Sequence, residues 1–339
     1  MRSIVYDENG PASVLRLIER EPDEPGEGEV RVRVVVSGVN PTDWKSRAGS
    51  TRQVTERTVP DQDGAGIVDA VGHGVAGFAV GDRVWLSMAS ATDPMAGTAQ
   101  ELTVLPVSRV HPLPDDVGFD VGASLGVPAL TAHRALTVSE GWPDRLAPGS
   151  LAGATVLVTG GAGAVGHAAI QLARWAGATV IATVSGDEKA RLATAAGAHH
   201  VVNYREDGAA DRIRALAPDG VDTIVEVAVA DNAPLDAAVL KPAGTIAIYA
   251  ANPGDEFRVD VRAFMGLNAR LQFVLLYTIP PAAIDAAVED VNAALAELPV
   301  GEEAGLPVHR FPLERTADAH DAVEAGAVGK VLIDVAPGA

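Results

Sequence analysis

The 339-residue chain contains no cysteine. Disulfide bonds, thiolate nucleophiles and cysteine-ligated zinc are therefore excluded from its chemistry. Aromatic residues make up only 4% of the chain. No uninterrupted apolar run approaches the roughly 20 residues that a membrane-spanning helix needs. The apolar run within residues 1–8 is too short for a signal peptide and acids interrupt it, so we expect a cytoplasmic protein with no membrane partner.

Positive charge is also scarce. The chain has 26 lysines and arginines against 45 acidic residues, a net charge of −19. An acidic surface repels nucleic acid and anionic lipid, so neither is an expected partner. A negatively charged cofactor must instead be bound by locally placed positive groups. Lysine is the rarer cation, and its four positions are Lys45, Lys189, Lys241 and Lys330.

The chain does contain a glycine-rich turn between a strand-like and a helix-like segment. An apolar, β-branched run over 156–159 leads through Gly160 into the sequence Gly161-Ala162-Gly163-Ala164-Val165-Gly166. A helical pattern follows over 167–175, and a second apolar run covers 179–184. This order of strand, glycine turn, helix and strand turns a weak pattern into a dinucleotide-binding fingerprint.

Each glycine of this motif has an expected physical role. Gly161 permits the tight turn, Gly163 leaves room for a pyrophosphate, and Gly166 lets the helix sit close to the sheet. The helix N-terminus offers unpaired N–H groups and a partial positive charge to the phosphates. We therefore predict that residues 161–166 bind a dinucleotide.

The pattern of predicted secondary structure changes near residue 120. Before it, short strands are predicted at 30–36, 64–72 and 82–86, which suggests a small barrel or sandwich. After it, helical and strand patterns alternate, as in a doubly wound α/β domain with a parallel sheet. Its strands are predicted at 155–159, 179–184, 200–203, 222–227, 244–249 and 271–276. The tail returns to strands at 309–313 and 331–335, which suggests that it rejoins the N-terminal part.

The end of the second predicted strand indicates the type of dinucleotide. An NAD enzyme usually has an acidic residue about 20 positions after the glycines, where it binds the ribose 2′-hydroxyl. Here the strand ends at Ser185, and Lys189 follows one helical turn later, a pair that suits the 2′-phosphate of NADPH. Tyr204, after the third strand, can close over the adenosine. Alternatively, Lys189 is a solvated helix residue beside the acids at 187–188.

Several motifs occur in one order almost from end to end. They are Gly38-Val39-Asn40-Pro41-Thr42-Asp43, Asp63-Gly64-Ala65-Gly66, Val80-Gly81-Asp82-Arg83-Val84, Ala129-Leu130-Thr131-Ala132, the turn at 161–166 and Gly329-Lys330-Val331. Together they resemble the zinc-free quinone oxidoreductase (zeta-crystallin-like) branch of the medium-chain dehydrogenase/reductase superfamily. The resemblance implies an α/β fold with two domains: a GroES-like β-rich catalytic domain over 1–122 and 279–339, and a Rossmann coenzyme domain with a doubly wound parallel sheet over 123–278. It also implies a homodimer.

The missing cysteines bear on the reaction. Zinc alcohol dehydrogenases of this superfamily have a metal-binding cysteine near the position of Asn40, and without a Lewis acid an alkoxide loses its usual stabilisation. Reduction of a conjugated carbonyl does not need a Lewis acid, because hydrogen-bond donors can stabilise the charge on its oxygen. We therefore expect NADPH-dependent, metal-free reduction of quinones or α,β-unsaturated carbonyls. A biosynthetic enoyl-thioester reductase and a non-catalytic, crystallin-like NADPH-binding protein remain alternatives.

The resemblance also suggests catalytic residues. It places Asn40 at the nicotinamide and substrate cleft, where its carboxamide can donate to a carbonyl oxygen; alternatively, Asn40 only makes a turn with Pro41. Lys45 can stabilise an enolate or donate a proton, or it is a surface lysine paired with Asp43. Thr131 is expected beside the nicotinamide at the start of a helix, or as a buried helix cap.

Further cofactor contacts are expected toward the end of the chain. They are Ile248, Tyr249 and Ala250, Phe273 and Leu275, and Lys330. Phe273 and Leu275 belong to a strand that, by the resemblance, lines the nicotinamide side and helps form the dimer; alternatively, it is an ordinary buried strand. Lys330 contacts the edge of the cofactor or pairs with a surface acid. Two departures from the family pattern complete the set: Asp61 replaces a frequent glycine and is expected at the edge of the cleft, and Glu226 replaces a frequent aspartate.

Overall fold

A computed structural model of the chain describes residues 1–91, 93–252, 254–298 and 301–336. The strands are β1 (Arg2–Val5), β2 (Arg16–Glu19), β3 (Glu29–Val39), β4 (Asp63–Val71), β5 (Arg83–Leu86), β6 (Leu102–Pro106), β7 (Val110–Pro112), β8 (Thr155–Thr159), β9 (Thr179–Val184), β10 (His200–Asn203), β11 (Val221–Glu226), β12 (Leu240–Ile248), β13 (Arg270–Phe273), β14 (Val308–Pro312) and β15 (Lys330–Asp334). The α-helices are α1 (Pro41–Arg47), α2 (Phe119–Leu136), α3 (Ala164–Trp175), α4 (Asp187–Ala195), α5 (Ala209–Leu216), α6 (Val229–Val239), α7 (Val261–Leu267), α8 (Pro281–Leu295) and α9 (Thr316–Glu324). No helix within the described ranges is long and apolar enough to span a membrane.

The chain divides into two compact units. The first comprises Met1–Val127 and Pro307–Ala339, and the second comprises Pro128–Leu306. The predicted domains were 1–122 with 279–339, and 123–278, so residues 123–127 fall in the first unit and residues 279–306 fall in the second. Helix α8 accounts for the second difference, because its buried Asp290 accepts hydrogen bonds from His133, from Arg145 and from the backbone of Leu146. A segment held by three such bonds cannot separate from the unit that donates them.

The first unit is built on a seven-stranded sheet in the order β14-β15-β3-β4-β5-β7, with β6 also paired to β3. Strand β3 contributes alternate residues to the core of this unit. Val30, Val32 and Val34 are fully buried, while the arginines between them face outward. This is the alternation of a half-buried strand. The tail strand β15 pairs with β3 in antiparallel fashion, so the end of the chain completes the sheet that the beginning starts.

The second unit contains a six-stranded sheet in the order β10-β9-β8-β11-β12-β13. All its neighbouring strands are parallel. The chain runs outward from β8 to β10 and then returns to place β11 on the other side of β8. This reversal is the topological switch point at which open α/β sheets bind ligands, beyond the carboxyl ends of the strands. The predicted α/β fold with a doubly wound parallel sheet is confirmed.

Strand limits in the second unit agree closely with the prediction, with two exceptions. Strand β12 begins at Leu240, four residues before the predicted start at 244. Strands β8, β9 and β10 have the predicted bounds of 155–159, 179–184 and 200–203. The last predicted strand, at 271–276, is shorter in the structure, because β13 ends at Phe273 and a 3₁₀ turn begins at Leu276. Apolar character extends through this turn, so periodicity alone did not indicate where the strand ends.

Candidate functional site

The glycine turn follows β8 directly, and the structure reassigns its first glycine. The left-handed backbone belongs to Gly160, with φ of 66°, and not to Gly161. A Cβ atom on Gly161 would lie 2.9 Å from the Cβ of Ala182 and 3.1 Å from Cδ1 of Ile170. Gly161 is therefore needed because the turn packs tightly against β9 and α3, and the prediction that it supplies the tight turn was wrong.

The other two glycines differ in what surrounds them. A Cβ on Gly166 would lie only 2.4 Å from the carbonyl oxygen of Gly160, so this position holds the helix against the turn. A Cβ on Gly163 would have that oxygen as its nearest neighbour at 3.5 Å, an ordinary contact. Gly163 is also the N-cap of α3, which begins with Ala164 and Val165. The protein leaves space beside the helix N-terminus, which fits a bound pyrophosphate.

Three predicted cofactor residues lie at the ends of β9 and β10. Ser185 follows β9, and Lys189 lies in the first turn of α4. Tyr204 follows β10, its backbone N–H donates to the carbonyl of Val184 at 3.0 Å, and its side chain is 45% exposed. Since β9 and β10 are parallel neighbours, these residues share the carboxyl edge of the sheet with the glycine turn.

The partners of the lysines distinguish Lys189 from two of the others. Lys241 Nζ lies 2.6 Å from Asp222, and Lys330 Nζ lies 3.0 Å from Asp63. Within the described ranges, Lys189 forms no ion pair with an acidic side chain. The acids at 187–188 are exposed in the first turn of α4, where the helix N-terminus stabilises negative charge. The Lys189 ammonium is therefore available to an anionic ligand at this edge.

The remaining predicted contacts of the second unit follow β12 and β13. Ile248 ends β12, and the backbone N–H of Tyr249 donates to the carbonyl of Glu226 at the end of the neighbouring β11. Burial, with the negative charge of Glu226, raises the pKa of the Tyr249 phenol, so it stays a neutral hydroxyl. Ala250 follows it and is half-buried. All three therefore lie at the same carboxyl edge.

Two acidic side chains at this edge were not predicted to interact. Glu226 and Asp236 are both fully buried, and within the described residues Glu226 Oε2 and both carboxylate oxygens of Asp236 lack hydrogen-bond partners. Burial and the neighbouring Glu226 raise the pKa of Asp236 to about 9. Burial also raises the pKa of Glu226. A proton on Asp236, donated to Glu226, satisfies oxygens that otherwise have no partner.

The first unit contains a buried polar cluster around Asn40, at the end of β3. The backbone N–H of Asn40 donates to Asp43 at 2.7 Å, and its Nδ2 donates to Oδ2 of Asp63 at 2.7 Å. Lys330 Nζ donates to Oδ1 of Asn40 at 2.7 Å and to Oδ2 of Asp63 at 3.0 Å. Asn40 is 2% exposed and Lys330 is 1% exposed. The acid that pairs with Lys330 is thus buried, not on the surface as one alternative had it.

Carboxyl groups outnumber cations in this cluster. Burial raises the pKa of Asp43 well above its usual range, and the negative charges of Asp61 and Asp63 raise it further. The hydrogen bond from Asn40 and the charge of Lys330 act in the opposite direction. Asp43 therefore keeps its proton more readily than an exposed aspartate, and the ammonium of Lys330 is the charge that compensates Asp63.

The structure corrects the expected places of Asp61 and Thr131. Asp61 is fully buried inside the first unit, where it accepts hydrogen bonds from His320 and Ser37, so it is not at the edge of a cleft. Thr131 lies inside α2, which runs from Phe119 to Leu136, so it neither starts nor caps a helix. Sequence patterns indicated neither position. The hydrogen-bond partners of Asp61 lie elsewhere in the chain, and Pro128, a residue that often marks the start of a helix, lies inside α2.

Lys45 lies on α1, five residues after Asn40. Its Nζ is 5.6 Å from the centre of the Trp44 ring, within the range of a cation–π contact.

Asp63 and His320 are the residues of the first unit whose roles sequence reasoning missed. Asp63 stood in a recognised motif, Asp63–Gly66, but nothing in the sequence connected it with Asn40.

Comparisons with known proteins agree with this description. The family model for the alcohol dehydrogenase GroES-like domain matches residues 26–115, and that for zinc-binding dehydrogenases matches residues 164–293. A quinone oxidoreductase from Lama guanicoe is 33% identical and covers 98% of this chain and 97% of its own. A 2-haloacrylate reductase from a Burkholderia species is 32% identical over 76% of each chain. A mycobacterial protein solved in complex with NADPH has a TM-score of 0.80 and 32% identity, covering 98% of this chain and 99% of its own.

The chain belongs to the quinone oxidoreductase branch of the medium-chain dehydrogenase/reductase superfamily, a superfamily of oxidoreductases. The predicted family is therefore confirmed. The two matched domains correspond to the two sheets: the GroES-like model falls in the first unit and the dehydrogenase model in the second.

Proposed function

We propose that the protein catalyses the NADPH-dependent, metal-free reduction of quinones or α,β-unsaturated carbonyl compounds. The observation that carries the proposal is the pair of acceptors named by its relatives. One relative is named for quinones and the other for a 2-haloacrylate, and both acceptors conjugate a carbon–carbon double bond with a carbonyl group. The metal-free part of the proposal rests on the absence of cysteine from the chain.

The carboxyl edge of the parallel sheet supports NADPH as the cofactor. Residues 161–166 and the N-terminus of α3 would hold the pyrophosphate, because Gly163 leaves space beside unpaired N–H groups. Ser185 and Lys189 would bind the 2′-phosphate, and Tyr204 would cover the adenosine. A relative of 32% identity was solved with NADPH. Further contacts are proposed for residues 248–250 at the end of β12, and for Phe273 and Leu275.

The reaction requires the protein's own side chains to stabilise a negative charge and to donate a proton. When bound, NADPH supplies the hydride that leaves the carbonyl oxygen of a conjugated acceptor negatively charged. The carboxamide of Asn40 stabilises that charge by donating an N–H, a role typically worth about 100-fold in rate. The Lys45 ammonium stabilises the same charge or donates the proton that completes the reduction. Thr131 is proposed to contact the nicotinamide.

We also propose that the protein is a cytoplasmic homodimer that associates through the edge strand β13. This strand is the last of the sheet and pairs on one side only, with β12, among the described residues. Phe273 and Leu275 are 62% and 57% exposed, while Val274 between them is buried. An exposed apolar edge of this kind is stabilised when a second strand covers it.

A panel of acceptors tests the proposed reaction. Quinones, small enones and an enoyl thioester are each offered with NADPH and with NADH, and cofactor oxidation is followed at 340 nm. We expect rapid NADPH oxidation with quinones or enones and much slower use of NADH. Activity with the thioester alone would favour the biosynthetic reductase instead. Tight NADPH binding without oxidation by any acceptor would leave the non-catalytic alternative.

A further inference from the structure

We propose that Lys330 and Asp63 are positioning residues, which set the orientation of the Asn40 carboxamide so that one of its two N–H donors is kept for the substrate oxygen. The inference rests on the proposed function, because it is there that Asn40 acts on the substrate. It also gives Lys330 a role through Asn40 in place of the predicted contact with the cofactor.

The orientation follows from what each neighbouring group can donate or accept. An ammonium only donates, so the carboxamide atom that faces Lys330 Nζ at 2.7 Å must be the oxygen. A carboxylate only accepts, so the atom that faces Asp63 Oδ2 at 2.7 Å must be the nitrogen. The two ends of the carboxamide are assigned independently, and the two assignments agree. An asparagine amide is otherwise free to flip.

The opposite orientation is strongly disfavoured in this buried place. A flipped Asn40 would turn its N–H groups toward the ammonium and its oxygen toward the carboxylate, so both hydrogen bonds would be lost. Asp63 and Lys330 are at most 1% exposed, so water has little access to replace the bonds that these two side chains make with Asn40. Asp63 takes one of the two N–H donors, and the other is the donor we assign to the substrate.

The two positioning side chains are themselves held firmly. Asp63 Oδ1 accepts a hydrogen bond from the backbone N–H of Val127 at 2.8 Å. A Cβ on Gly126 would lie 2.1 Å from the same oxygen, and a Cβ on Gly38 would lie 2.9 Å from Cε of Lys330. Two glycines therefore allow the backbone to approach Asp63 and Lys330 closely. Close packing of this kind limits the alternative rotamers of both side chains.

A double variant, Asp63→Asn with Lys330→Met, tests the proposal by reversing the orientation. It removes one negative and one positive charge together and nearly conserves volume. The new asparagine still accepts from Val127 through its oxygen, which puts its NH₂ group where Oδ2 of Asp63 was. Asn40 must then turn its oxygen toward that NH₂ group. We expect kcat to fall about 100-fold, as for Asn40→Ala, while the Kd for NADPH stays close to wild type. The melting temperature should fall, because the turned NH₂ group of Asn40 has no acceptor beside the methionine that replaces Lys330, but the variant should still fold.

A matched control comes from the second unit. Asp222 likewise accepts from a lysine, Lys241 at 2.6 Å, and from a backbone N–H, that of Thr155 at 2.8 Å. The variant Asp222→Asn with Lys241→Met makes the same chemical change in a pair that has no bond to Asn40, and we expect it to keep the wild-type kcat. A comparable loss of kcat in both double variants would point to a general effect of removing an ion pair and would overturn the proposal.

The outcomes separate this inference from the proposed function. If wild type reduces an acceptor, Asn40→Ala loses kcat and the folded Asp63→Asn/Lys330→Met variant keeps it, only the positioning role fails. If Asn40→Ala keeps full kcat, the role of Asn40 in the proposed function fails first.

A second measurement is made on the wild-type protein, with Asn40→Ala needed only for assignment, and therefore does not depend on the stability of the double variant. The side-chain amide signals of Asn40 in ¹⁵N-labelled protein are assigned from their loss in Asn40→Ala. We expect one proton to be shifted downfield and slow to exchange, because it is bonded to a carboxylate. The other should shift when NADP⁺ and 2-cyclohexenone are added together. Two protons that exchange rapidly, have the shifts of an exposed asparagine and do not respond to the additions would overturn the proposal.

Discussion

Asp61 and His320 form a hydrogen-bonded pair inside the first unit. His320 Nε2 lies 2.9 Å from Asp61 Oδ1, and both side chains are 0% exposed. Asp61 holds this position with a left-handed backbone, φ of 74°, a conformation that favours glycine. The family resemblance leads one to expect a glycine there. This chain keeps an aspartate because its carboxylate provides acceptors for His320 and Ser37.

Replacing Asp61 by glycine sets two opposing effects against each other. Glycine relieves a left-handed backbone that costs about 1–2 kcal/mol. It also leaves the buried His320 without its acceptor, at about 1–3 kcal/mol, and empties the space of a fully buried side chain, whereas Ser37 keeps Thr98 Oγ1 as an acceptor at 2.7 Å. We expect the second effect to win, so the melting temperature of Asp61→Gly should fall. Adding His320→Leu should recover part of the loss, and a single variant as stable as wild type would contradict this account.

Substitutions in the glycine turn can separate an effect on NADPH binding from an effect on folding. In Gly163→Ala the new methyl group meets no atom closer than 3.5 Å, so the fold should keep its melting temperature. The same methyl group occupies the space assigned to the pyrophosphate, and NADPH affinity should fall at least tenfold. In Gly166→Ala the methyl group meets a carbonyl oxygen at 2.4 Å, so the melting temperature should fall. Calorimetry and fluorescence titration of NADPH distinguish the two variants, and equal behaviour would refute the assignment.

Lys189→Ala tests the choice between NADPH and NADH. A lost charge-assisted hydrogen bond to the 2′-phosphate costs about 1.5–3 kcal/mol, or roughly 10- to 100-fold in affinity. The KM for NADPH should rise by that factor, whereas the KM for NADH, which lacks the phosphate, should hardly change. Lys241→Ala is the control, because Lys241 already pairs with Asp222. Equal changes in the KM values for NADPH and NADH would show that Lys189 does not bind the 2′-phosphate.

The buried acid pair makes stability depend on pH. Asp236 has a pKa of about 9 in the folded protein, far above the ordinary value that it regains on unfolding. Between these values the folded state binds more protons, so the free energy of unfolding should decrease as pH rises toward 9. Asp236→Asn cannot lose a proton and still donates to Glu226, so it should be more stable than wild type at pH 9 by roughly 1–3 kcal/mol.

The comparison is made by urea unfolding at pH 6 and pH 9. Asp231→Asn, on the same helix but exposed, is the matched control and should follow the wild-type pH dependence. Parallel curves for wild type and Asp236→Asn would show that Asp236 does not carry the extra proton.

The exposed edge strand predicts an effect on assembly. Phe273→Glu places a charge on β13 where a second copy is proposed to pair. The Kd for dimer dissociation, measured by analytical ultracentrifugation, should therefore rise at least tenfold. Val80→Glu is the control, since Val80 is a similarly exposed apolar residue, 68% accessible, in a turn of the first unit. A wild-type protein that sediments as a monomer, or a Phe273→Glu dimer of unchanged affinity, would reject β13 as the interface.

The sequence was most informative where structure depends on local pattern. The strands at 155–159, 179–184 and 200–203 could be predicted because apolar runs of that length between glycines have few other conformations. The glycine turn and Ser185, Lys189 and Tyr204 could be predicted as one edge, because parallel strands bring their carboxyl ends together. Predictions were weaker where apolar character continues past the end of a strand, as after Phe273.

By itself, then, the sequence indicated the family, through the resemblance of motifs that run in one order along the chain. It also indicated the change from short strands to an α/β pattern and the edge that fits a dinucleotide, both of which depend on residues close together in the chain. Only the tertiary structure decided the partners of single polar side chains. Lys330 meets Asn40 across 290 residues, and His320 meets Asp61 across 259. No local pattern encodes such pairs, because a buried donor and its acceptor become neighbours only when β15 and α9 pack against the strands of the first unit.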